Sequence, residues 1–398
     1  MTVITATYRI VTPMFLGGAD QKAVSLRPSS VKGALRFWWR ALNWGRCLWD
    51  ARGQETEAIR RLHQQEASLF GSAADENGSG QGRFLLDVHY TGRPLEPGEL
   101  PPASPGHQYL LGQGLYHFRQ HYLRSALESG ELRLRVRFRP GVDQQQDSLA
   151  RALLALGLFG GLGSRGRKGF GSLAIQSLEG TDRQAPAHLN ALETLLAELI
   201  GPRPDDPPPY TAFSAQSRID AIPGTLGQEV WTLLGEIGAD LQRYRSWGQN
   251  GKVANQSAER NFPDDHDLAR EAALGKPVAA HPRRAVFGLP HNYFFSSLSA
   301  PHNKLEVNAL APKPDGGWSD IGTHRRASPL FIHLHEFPNG NRAALLGLLP
   351  AQFLPAGWQI GLKSTGPVRR IEPNPDWAVL RQFMDRFANR HSLLKVLS

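Results

Sequence analysis

Cysteine is nearly absent from this chain: Cys47 is the only one among 398 residues. A single thiol excludes an intrachain disulfide and a metal site built from several cysteines. The sequence has no run of about 18 apolar residues, the pattern of a membrane-spanning helix. Its first residues alternate like a strand and do not resemble a secretion signal. We therefore expect a soluble, cytoplasmic protein without membrane partners.

Acidic residues are missing from two long stretches in which basic residues remain. The formal net charge is +9. Between Gln21 and Trp49 there are six lysines or arginines and no acid, and between Ser148 and Leu178 there are four and no acid. Clustered positive charge beside glycines and aromatic residues favours a polyanionic partner over a merely soluble surface.

The first 180 residues predict an α+β fold. Alternation and helical spacing predict six elements in the order β-α-β-β-α-β. They lie at residues 3–12, 28–44, 83–90, 131–139, 147–159 and 171–178. This order is that of the ferredoxin-like fold. The segments 45–80 and 91–130 are then insertions, the second with a helix at 117–127.

A second domain is expected after a proline-rich linker. Five prolines and two aspartates at 201–210 exclude regular structure there. We predict domains at 1–200 and 210–398, joined by residues 201–209. The second domain is interpreted as a degenerate ferredoxin-like copy, although no repeat in the sequence proves it. Its predicted elements are strands at 210–219, 284–290, 329–337 and 344–350, and helices at 227–246 and 376–390.

The first predicted helix has an apolar stripe and a basic face. The stripe comprises Val31, Leu35, Trp38 and Leu42. Lys32, Arg36, Trp39 and Asn43 lie about a quarter-turn away, with Arg40 next to them. Cations beside a tryptophan can bind phosphates and stack a base. The alternative is a solvated basic face whose tryptophan packs against the core.

A glycine-rich loop follows the second predicted helix. Seven glycines fall between 157 and 171, with Arg165, Arg167 and Lys168 as the charged residues. A G-x-G-x-x-G pattern begins at Gly161, but a helix precedes it and a strand follows, the reverse of a dinucleotide-binding fold. No Walker sequence ends it. The pattern favours a flexible, cationic loop that exposes its backbone to phosphates, with an ordinary connector as the alternative.

Other charged and histidine motifs are interpreted as structural or solvated. The strand at 131–139 places four arginines on one face, typical of a solvated or edge-protecting surface. Histidine pairs occur at 117 and 121, on one predicted helix, and at 333 and 335, on one predicted strand. The acidic "DDHD" at 264–267 lies in a loop-like segment. None forms a complete metal-ligand set, so no metal and no cofactor is predicted.

Three motifs together resemble the RAMP superfamily of CRISPR proteins. They are "TPMFLGGAD" (12–20), "RPSSVKGALRFWWRAL" (27–42) and "GLGSRGRKGFGSL" (161–173). Within that superfamily they are similar to the capping subunit of the type III-B, or Cmr, effector complex. The later motifs "AVFGLP" (285–290) and "RRASPLFIHLH" (325–335) extend the resemblance to the second half of the chain.

The resemblance implies a pair of ferredoxin-like, RRM-related domains that bind RNA without cutting it. The implied partners are the guide CRISPR RNA near its 3′ region, the target RNA near its 5′ region, the repeating backbone subunit and a second cap subunit. No catalytic residue is implied. The expected RNA contacts are Lys32, Arg36, Trp39, Arg40, Gly161, Gly163, Ser164, Arg165, Arg167, Lys168, Arg283, Arg284, Arg325 and Arg326. A protein that binds guides of varying sequence should contact phosphate and shape.

Two alternatives from other classes stay open. Some RAMP relatives are metal-independent endoribonucleases, and His117, His121 or His333 would then serve in acid–base chemistry. The other alternative is a structural cap that binds only neighbouring subunits.

Overall fold

The computed structural model describes residues 2–17, 25–72, 80–140 and 143–397. Residues 18–20 of the first RAMP-like motif lie outside this set. The helices are α1 Pro28–Asp50, α2 Glu55–Phe70, α3 Pro105–Leu111, α4 Asp143–Phe159, α5 Leu189–Leu199, α6 Val230–Arg245, α7 Pro263–Ala273 and α8 Ala378–Asp385. Among the described residues, no helix is both long and apolar enough to cross a membrane.

Most strands belong to three four-stranded sheets. The strands are β1 Val3–Ile10, β2 Phe84–Tyr90, β3 Pro94–Leu95, β4 Tyr116–His117, β5 His121–Tyr122, β6 Ala126–Leu127, β7 Gly130–Phe138, β8 Leu173–Glu179, β9 Arg218–Pro223, β10 Lys252–Val253, β11 Gln256–Ser257, β12 His291–Phe294, β13 Lys304–Leu310, β14 Leu330–Glu336, β15 Arg342–Leu348, β16 Gln359–Lys363, β17 Arg369–Ile371 and β18 His391–Leu394.

The first sheet has the strand order β2-β7-β1-β8. Every neighbouring pair is antiparallel. Along the chain, β1, α1, β2, β7, α4 and β8 follow the predicted β-α-β-β-α-β order. The α+β class expected from the sequence is confirmed.

Helix α1 lies where its apolar stripe predicts. All four stripe residues are buried, and Pro28 begins the helix at a position where its missing N–H is not needed. The helix continues past the predicted end to Asp50, because Trp44 and Cys47 are buried as well. Tyr8 of β1 donates its hydroxyl to the Leu153 carbonyl of α4 at 2.9 Å, which ties sheet and helix together.

The second sheet has the order β14-β15-β9-β18, and the third the order β12-β13-β16-β17. Along the chain, α6 lies between β9 and β14, and α8 lies between β15 and β18. The predicted strands at 329–337 and 344–350 correspond to β14 and β15.

Two compact units divide the chain. The first comprises 1–236, 331–349 and 389–398, and the second comprises 237–330 and 350–388. This division does not follow the proline-rich segment at 201–210, although that segment has no helix or strand. The reason is that β15 pairs with β9, and its residues Ala343 and Leu345 belong to the same hydrophobic core as Ile4 of β1.

Three predicted elements differ in the structure. Residues 117–127 are not a helix but parts of β4, β5 and β6, because Tyr122 packs on Phe15 (6.1 Å between ring centroids) and His121 turns the chain with φ +60°. Residues 210–217 precede β9 and end in a turn between Ser214 and Ser217. The predicted strand at 284–290 is instead a 3₁₀ turn, Arg283–Phe287.

Candidate nucleic-acid interface

The glycine-rich loop between α4 and β8 is fixed by backbone hydrogen bonds. Leu162 N–H donates to the Gly171 carbonyl at 3.0 Å, Ser164 N–H to the Phe15 carbonyl at 2.7 Å, and Gly171 N–H to the Pro13 carbonyl at 3.0 Å. The prediction of a flexible loop is therefore wrong. The chain on both sides of the cations is anchored to the segment that follows β1.

Close packing inside the protein explains the glycines. A Cβ at Gly163 would lie 2.5 Å from the Phe15 carbonyl oxygen, and a Cβ at Gly171 would lie 2.1 Å from that of Leu162. Both residues also have positive φ angles, +87° and +61°. Side chains are excluded from these positions by sterics and by backbone conformation. The glycines thus allow the loop to close on itself and on Phe15.

Two buried hydroxyl groups lie at the base of the loop. Thr12 Oγ1 donates to the Gly169 carbonyl at 2.7 Å and accepts the Ser172 N–H at 3.0 Å. Ser172 Oγ donates to the same carbonyl at 3.1 Å and accepts the Leu334 N–H of β14 at 3.1 Å. Both side chains are fully buried. The pair therefore joins the end of β1, the loop and β14.

The three loop cations have different environments. Arg165 is exposed, with φ +63°, and its Nη2 points toward Gly112, 2.8 Å from where a Cβ would lie. Arg167 is half-buried, and its guanidinium carbon lies 4.6 Å from the Phe331 ring centroid and 5.4 Å from that of Phe37. Lys168 is half-buried, and its backbone N–H donates to the Arg165 carbonyl at 2.7 Å. The structure brings these cations together with Gly161, Gly163 and Ser164 on one loop.

Arg36 and Arg40 of α1 share a carboxylate that the sequence analysis did not single out. Arg36 Nε lies 3.0 Å from Glu66 Oε1, and Arg40 Nε lies 3.6 Å from Glu66 Oε2. Glu66 belongs to α2, and its side chain is nearly buried. Part of the positive charge predicted for RNA is therefore balanced within the protein. Lys32 lies over Phe84 at 5.6 Å, and burial, followed by the nearby Arg36 charge, lowers the pKa of Lys32.

Trp39 does not have the predicted role of a base-stacking ring. It is 2% exposed, its indole N–H donates to Ser148 Oγ at 2.6 Å, and its ring contacts Phe70 of α2. The reason is that α2 and α4 both pack against α1 and cover this face of the helix. The alternative interpretation, a tryptophan packed against the core, is the one observed.

The arginine face of β7 is balanced by acids. Arg133 pairs with Glu131 at 2.8 Å, and Arg137 pairs with Asp87 of β2 at 3.1 Å. Arg135 lies opposite Thr5 on one side and Asp87 on the other. This agrees with the predicted solvated face, and acids balance part of its positive charge.

His333 and His335 lie on one face of β14, as predicted, but they are buried. His333 Nδ1 donates to the Gly160 carbonyl at 2.8 Å, and its Nε2 lies 3.4 Å from His335 Nδ1. Burial lowers the pKa of His333 to about 4. Burial, with the neighbouring His333, lowers the pKa of His335 well below its ordinary value. His333 therefore positions the start of the loop and cannot reach RNA.

His117 and His121 are paired across the β4–β5 hairpin instead of along a helix. His121 is exposed, and its Nδ1 lies 2.9 Å from the Tyr116 hydroxyl oxygen. The described residues contain no group of three or more histidine, cysteine or carboxylate side chains that could hold a metal ion.

The four later arginines all belong to the second unit. Arg284 is buried beside Asp265 of α7, with Nε 3.2 Å from Oδ2, and the two side chains are 5% and 3% exposed. The predicted RNA contact at Arg284 is therefore wrong. Arg283 is half-exposed and pairs with Asp376 at 2.7 Å. Burial lowers the pKa of Arg326, whereas Arg325 is exposed.

Asp265 comes from the "DDHD" motif, which is helical and not a loop. Its carboxylate also accepts the backbone N–H groups of Arg283 and Arg284 at 2.7 and 2.8 Å. These bonds fix the 3₁₀ turn that replaces the predicted strand at 284–290.

The part of the chain that contains the glycine loop is similar to a known protein family. The model of the RAMP superfamily matches residues 7–174. The match covers less than half of the chain, and we call the matched residues the RAMP region. This RAMP region runs from β1 through α1 and α4 to the end of the glycine loop. The chain is also 34% identical over 67 residues to the CRISPR system Cmr subunit Cmr1-2 of Pyrococcus furiosus, and the match spans 17% of this chain and 32% of that protein.

Solved structures resemble the whole chain, well beyond the RAMP region. The crystal structure of apo Cmr1 from Pyrococcus furiosus matches with a TM-score of 0.56 at 14% identity, over 100% of both chains. A chain in the cryo-EM structure of the type III-B Cmr-beta complex bound to cognate target RNA matches with a TM-score of 0.51 at 12% identity, over 97% of this chain and 98% of that one. At such identities the likeness is one of fold.

The sequence analysis did not identify Phe37 and Phe331, two aromatic residues beside the glycine loop, as candidate site residues. Phe37 lies in the "RFWW" run of α1, one position from the stripe residue Trp38, so a search for half-exposed rings near the stripe would have found it. Phe331 is distant in sequence, and its contact with Arg167 depends on β14 lying beside the loop.

Replacing Arg284 with Ala should destabilise the fold strongly. It leaves the buried Asp265 carboxylate without its cation, which costs about 3–5 kcal/mol. Urea unfolding of the full chain measures this loss. Arg325→Ala, at an exposed arginine in the same unit, should stay within about 0.5 kcal/mol of wild type. Equal stability of the Arg284→Ala variant and wild type would contradict the assignment.

Acid should weaken the fold through His333. Its pKa is about 4 in the folded protein, below the ordinary value of 6.5, so the unfolded chain binds the proton first. The contribution of neutral His333 to the free energy of unfolding is complete above about pH 6.5 and is lost as the pH falls toward about 4. Between about pH 7 and about pH 5, wild type should lose about 2 kcal/mol more of its unfolding free energy than His333→Asn.

Urea unfolding at the two pH values checks this difference. Asn keeps a donor for the Gly160 carbonyl but does not titrate. His63→Asn, at an exposed position, serves as the control and should retain the wild-type dependence. The assignment fails when His333→Asn and wild type show the same pH dependence.

Proposed function

We propose that this protein is a non-catalytic, RNA-binding subunit of a type III-B CRISPR effector complex that acts in antiviral defence. The ordered glycine loop is the observation that supports this most. It presents Arg165, Arg167 and Lys168 within a stretch, 148–178, that has no acidic residue. Contacts to phosphate from such a loop are independent of base sequence, as a variable guide requires.

Several basic residues outside the loop have acidic partners within the protein. Arg36 and Arg40 of α1 share Glu66, and two of the β7 arginines pair with acids. We place the main RNA contacts at the loop because Arg165, Arg167 and Lys168 lie close together on a backbone held by hydrogen bonds. Lys32, Arg36 and Arg40 of the same RAMP region are proposed as flanking contacts. Among the later arginines, Arg283, Arg325 and Arg326 remain proposed contacts, and Arg284 does not.

The fold likeness to Cmr1 along the whole chain supports a position as a cap of the complex. Guide and target RNA, the repeating backbone subunit and a second cap subunit are the proposed partners. The guide 3′ region and the target 5′ region are the proposed binding segments.

We also propose that the first and second sheets are each part of a ferredoxin-like unit. When the four strands of each sheet are numbered 1 to 4 in chain order, both sheets have the same spatial order, 2-3-1-4. The two sheets are β2-β7-β1-β8 and β14-β15-β9-β18. Each set also has two α-helices between its first and second strands and one between its third and fourth, in addition to inserted segments. This common order supports a duplicated β-α-β-β-α-β unit.

RNA binding at several salt concentrations tests the function. The variant changes Arg165, Arg167 and Lys168 together to Gln, which removes charge but keeps much of each aliphatic stem. Because each phosphate contact on a single strand contributes about 0.7 to the log–log salt slope, three contacts should lower the slope by about 2. Fluorescence anisotropy with unrelated labelled single strands measures affinity and slope.

The matched control changes Arg133, Arg135 and Arg137 to Gln. It removes the same charge from the same unit but from the balanced face of β7, and it should bind RNA nearly as wild type does. Equal effects of the two triple variants would mean that only net charge matters. No effect of either would favour a cap that binds only neighbouring subunits. RNA cleavage by the wild-type chain would favour the endoribonuclease alternative.

A further inference from the structure

A cleft of about 230 Å³ lies beside the glycine loop in the first unit. Four aromatic residues line it: Phe37, Trp38, Phe159 and Phe331. Four loop glycines also line it. Because glycine has no side chain, the peptide backbone itself forms that part of the surface. The remaining described lining residues are Ala34 and Arg167, so this part of the lining has one cation and no carboxylate.

The rings form one connected cluster. Trp38 lies between Phe37, Phe159 and Phe331, with centroid distances of 5.1, 5.6 and 5.5 Å. Trp38, Phe159 and Phe331 are nearly fully buried, whereas Phe37 is partly exposed. Phe37 is therefore the ring in this cluster that a ligand entering from solvent can contact over a face or an edge.

Arg167 adds a flat cation to this aromatic surface. Its guanidinium lies over both Phe331 and Phe37, and its carbonyl accepts the Ile332 N–H of β14 at 3.0 Å. The backbone of Arg167 is thus fixed while its side chain borders the cleft. A planar guanidinium next to aromatic rings suits a ligand that has a π face and an adjoining negative charge.

The occupant that fits these features is a nucleotide. Pockets for drug-sized ligands measure about 300–1,000 Å³, so this smaller cleft suits one planar group and not a base pair. A purely aliphatic side chain from a partner protein would gain nothing from Arg167. Every base has a π face, so stacking tolerates any sequence.

We propose that the cleft accommodates one unpaired base of the bound RNA, packed against Phe37, with Arg167 contacting the same nucleotide. This inference rests on the proposed RNA-binding function. It adds a base subsite to the phosphate contacts of the loop. RNA binding then combines charge neutralisation by the loop with stacking in the cleft.

The test compares two probes of equal length, a single-stranded oligoadenylate and an all-abasic ribose-phosphate chain. Both have the same phosphates, but only one has bases. Wild type should bind the oligoadenylate more tightly. Phe37→Ala should reduce the affinity ratio between the probes by about 5- to 160-fold without changing the salt slope, because no phosphate contact is removed.

Three further variants keep the result interpretable. Phe37→Tyr retains a ring and should restore the ratio. Phe37→Leu fills the cleft without a π face, and its affinity ratio should lie between those of wild type and Phe37→Ala. This variant tests the π face even where Phe37→Ala loosens the fold. Phe294→Ala removes a ring that is 67% exposed in the second unit, and it should leave the ratio at the wild-type value.

The outcomes separate the two proposals. When wild type binds RNA and the loop variant lowers the salt slope, but Phe37→Ala and Phe37→Leu keep the wild-type ratio, the base subsite is overturned and the RNA-binding function stands. A side chain of a partner subunit then becomes the occupant to seek. When wild type binds neither probe, both proposals are overturned.

Discussion

The contact between the glycine loop and the segment after β1 is the constraint on which the candidate site depends. Gly163 and Gly171 allow backbone to approach backbone, and Thr12 with Ser172 satisfies the buried polar groups where they meet. These contacts hold the cations in place before any ligand binds. A site ordered in advance avoids most of the entropy loss that a flexible loop would incur on binding.

The structure changes the meaning of the positive charge counted in the sequence. Several arginines have acidic partners that are far away in sequence: Arg36 and Arg40 share Glu66, Arg137 pairs with Asp87, and Arg284 pairs with Asp265. Such pairs reduce the local potential, and the buried pair at Arg284 serves stability instead of recognition. The net charge of the sequence therefore does not by itself indicate which basic residues are available to a polyanion.

Local patterns in the sequence predicted much of the RAMP region. Strand alternation identified β1 and β7, the apolar stripe identified α1, and their order predicted the first sheet. Features that depend on distant contacts were missed. The helix expected at 117–127 became strands because Tyr122 packs on Phe15, and Trp39 became buried because α2 and α4 cover it. The composition of the glycine loop identified its cations. The order of the loop was not predicted, because its backbone contacts Phe15 and Pro13, which are distant in sequence.

Photo-cross-linking of RNA to the intact protein tests the central claim most directly. A single-stranded RNA with 4-thiouridine at every uridine position is bound and irradiated, and the cross-linked peptides are identified by mass spectrometry. If the loop and the cleft bind RNA, cross-links should form on the loop around Arg165–Lys168 and on the Phe37 segment of α1. Cross-links confined to the outer face of β7 or to the second unit, with none on the loop, would contradict it.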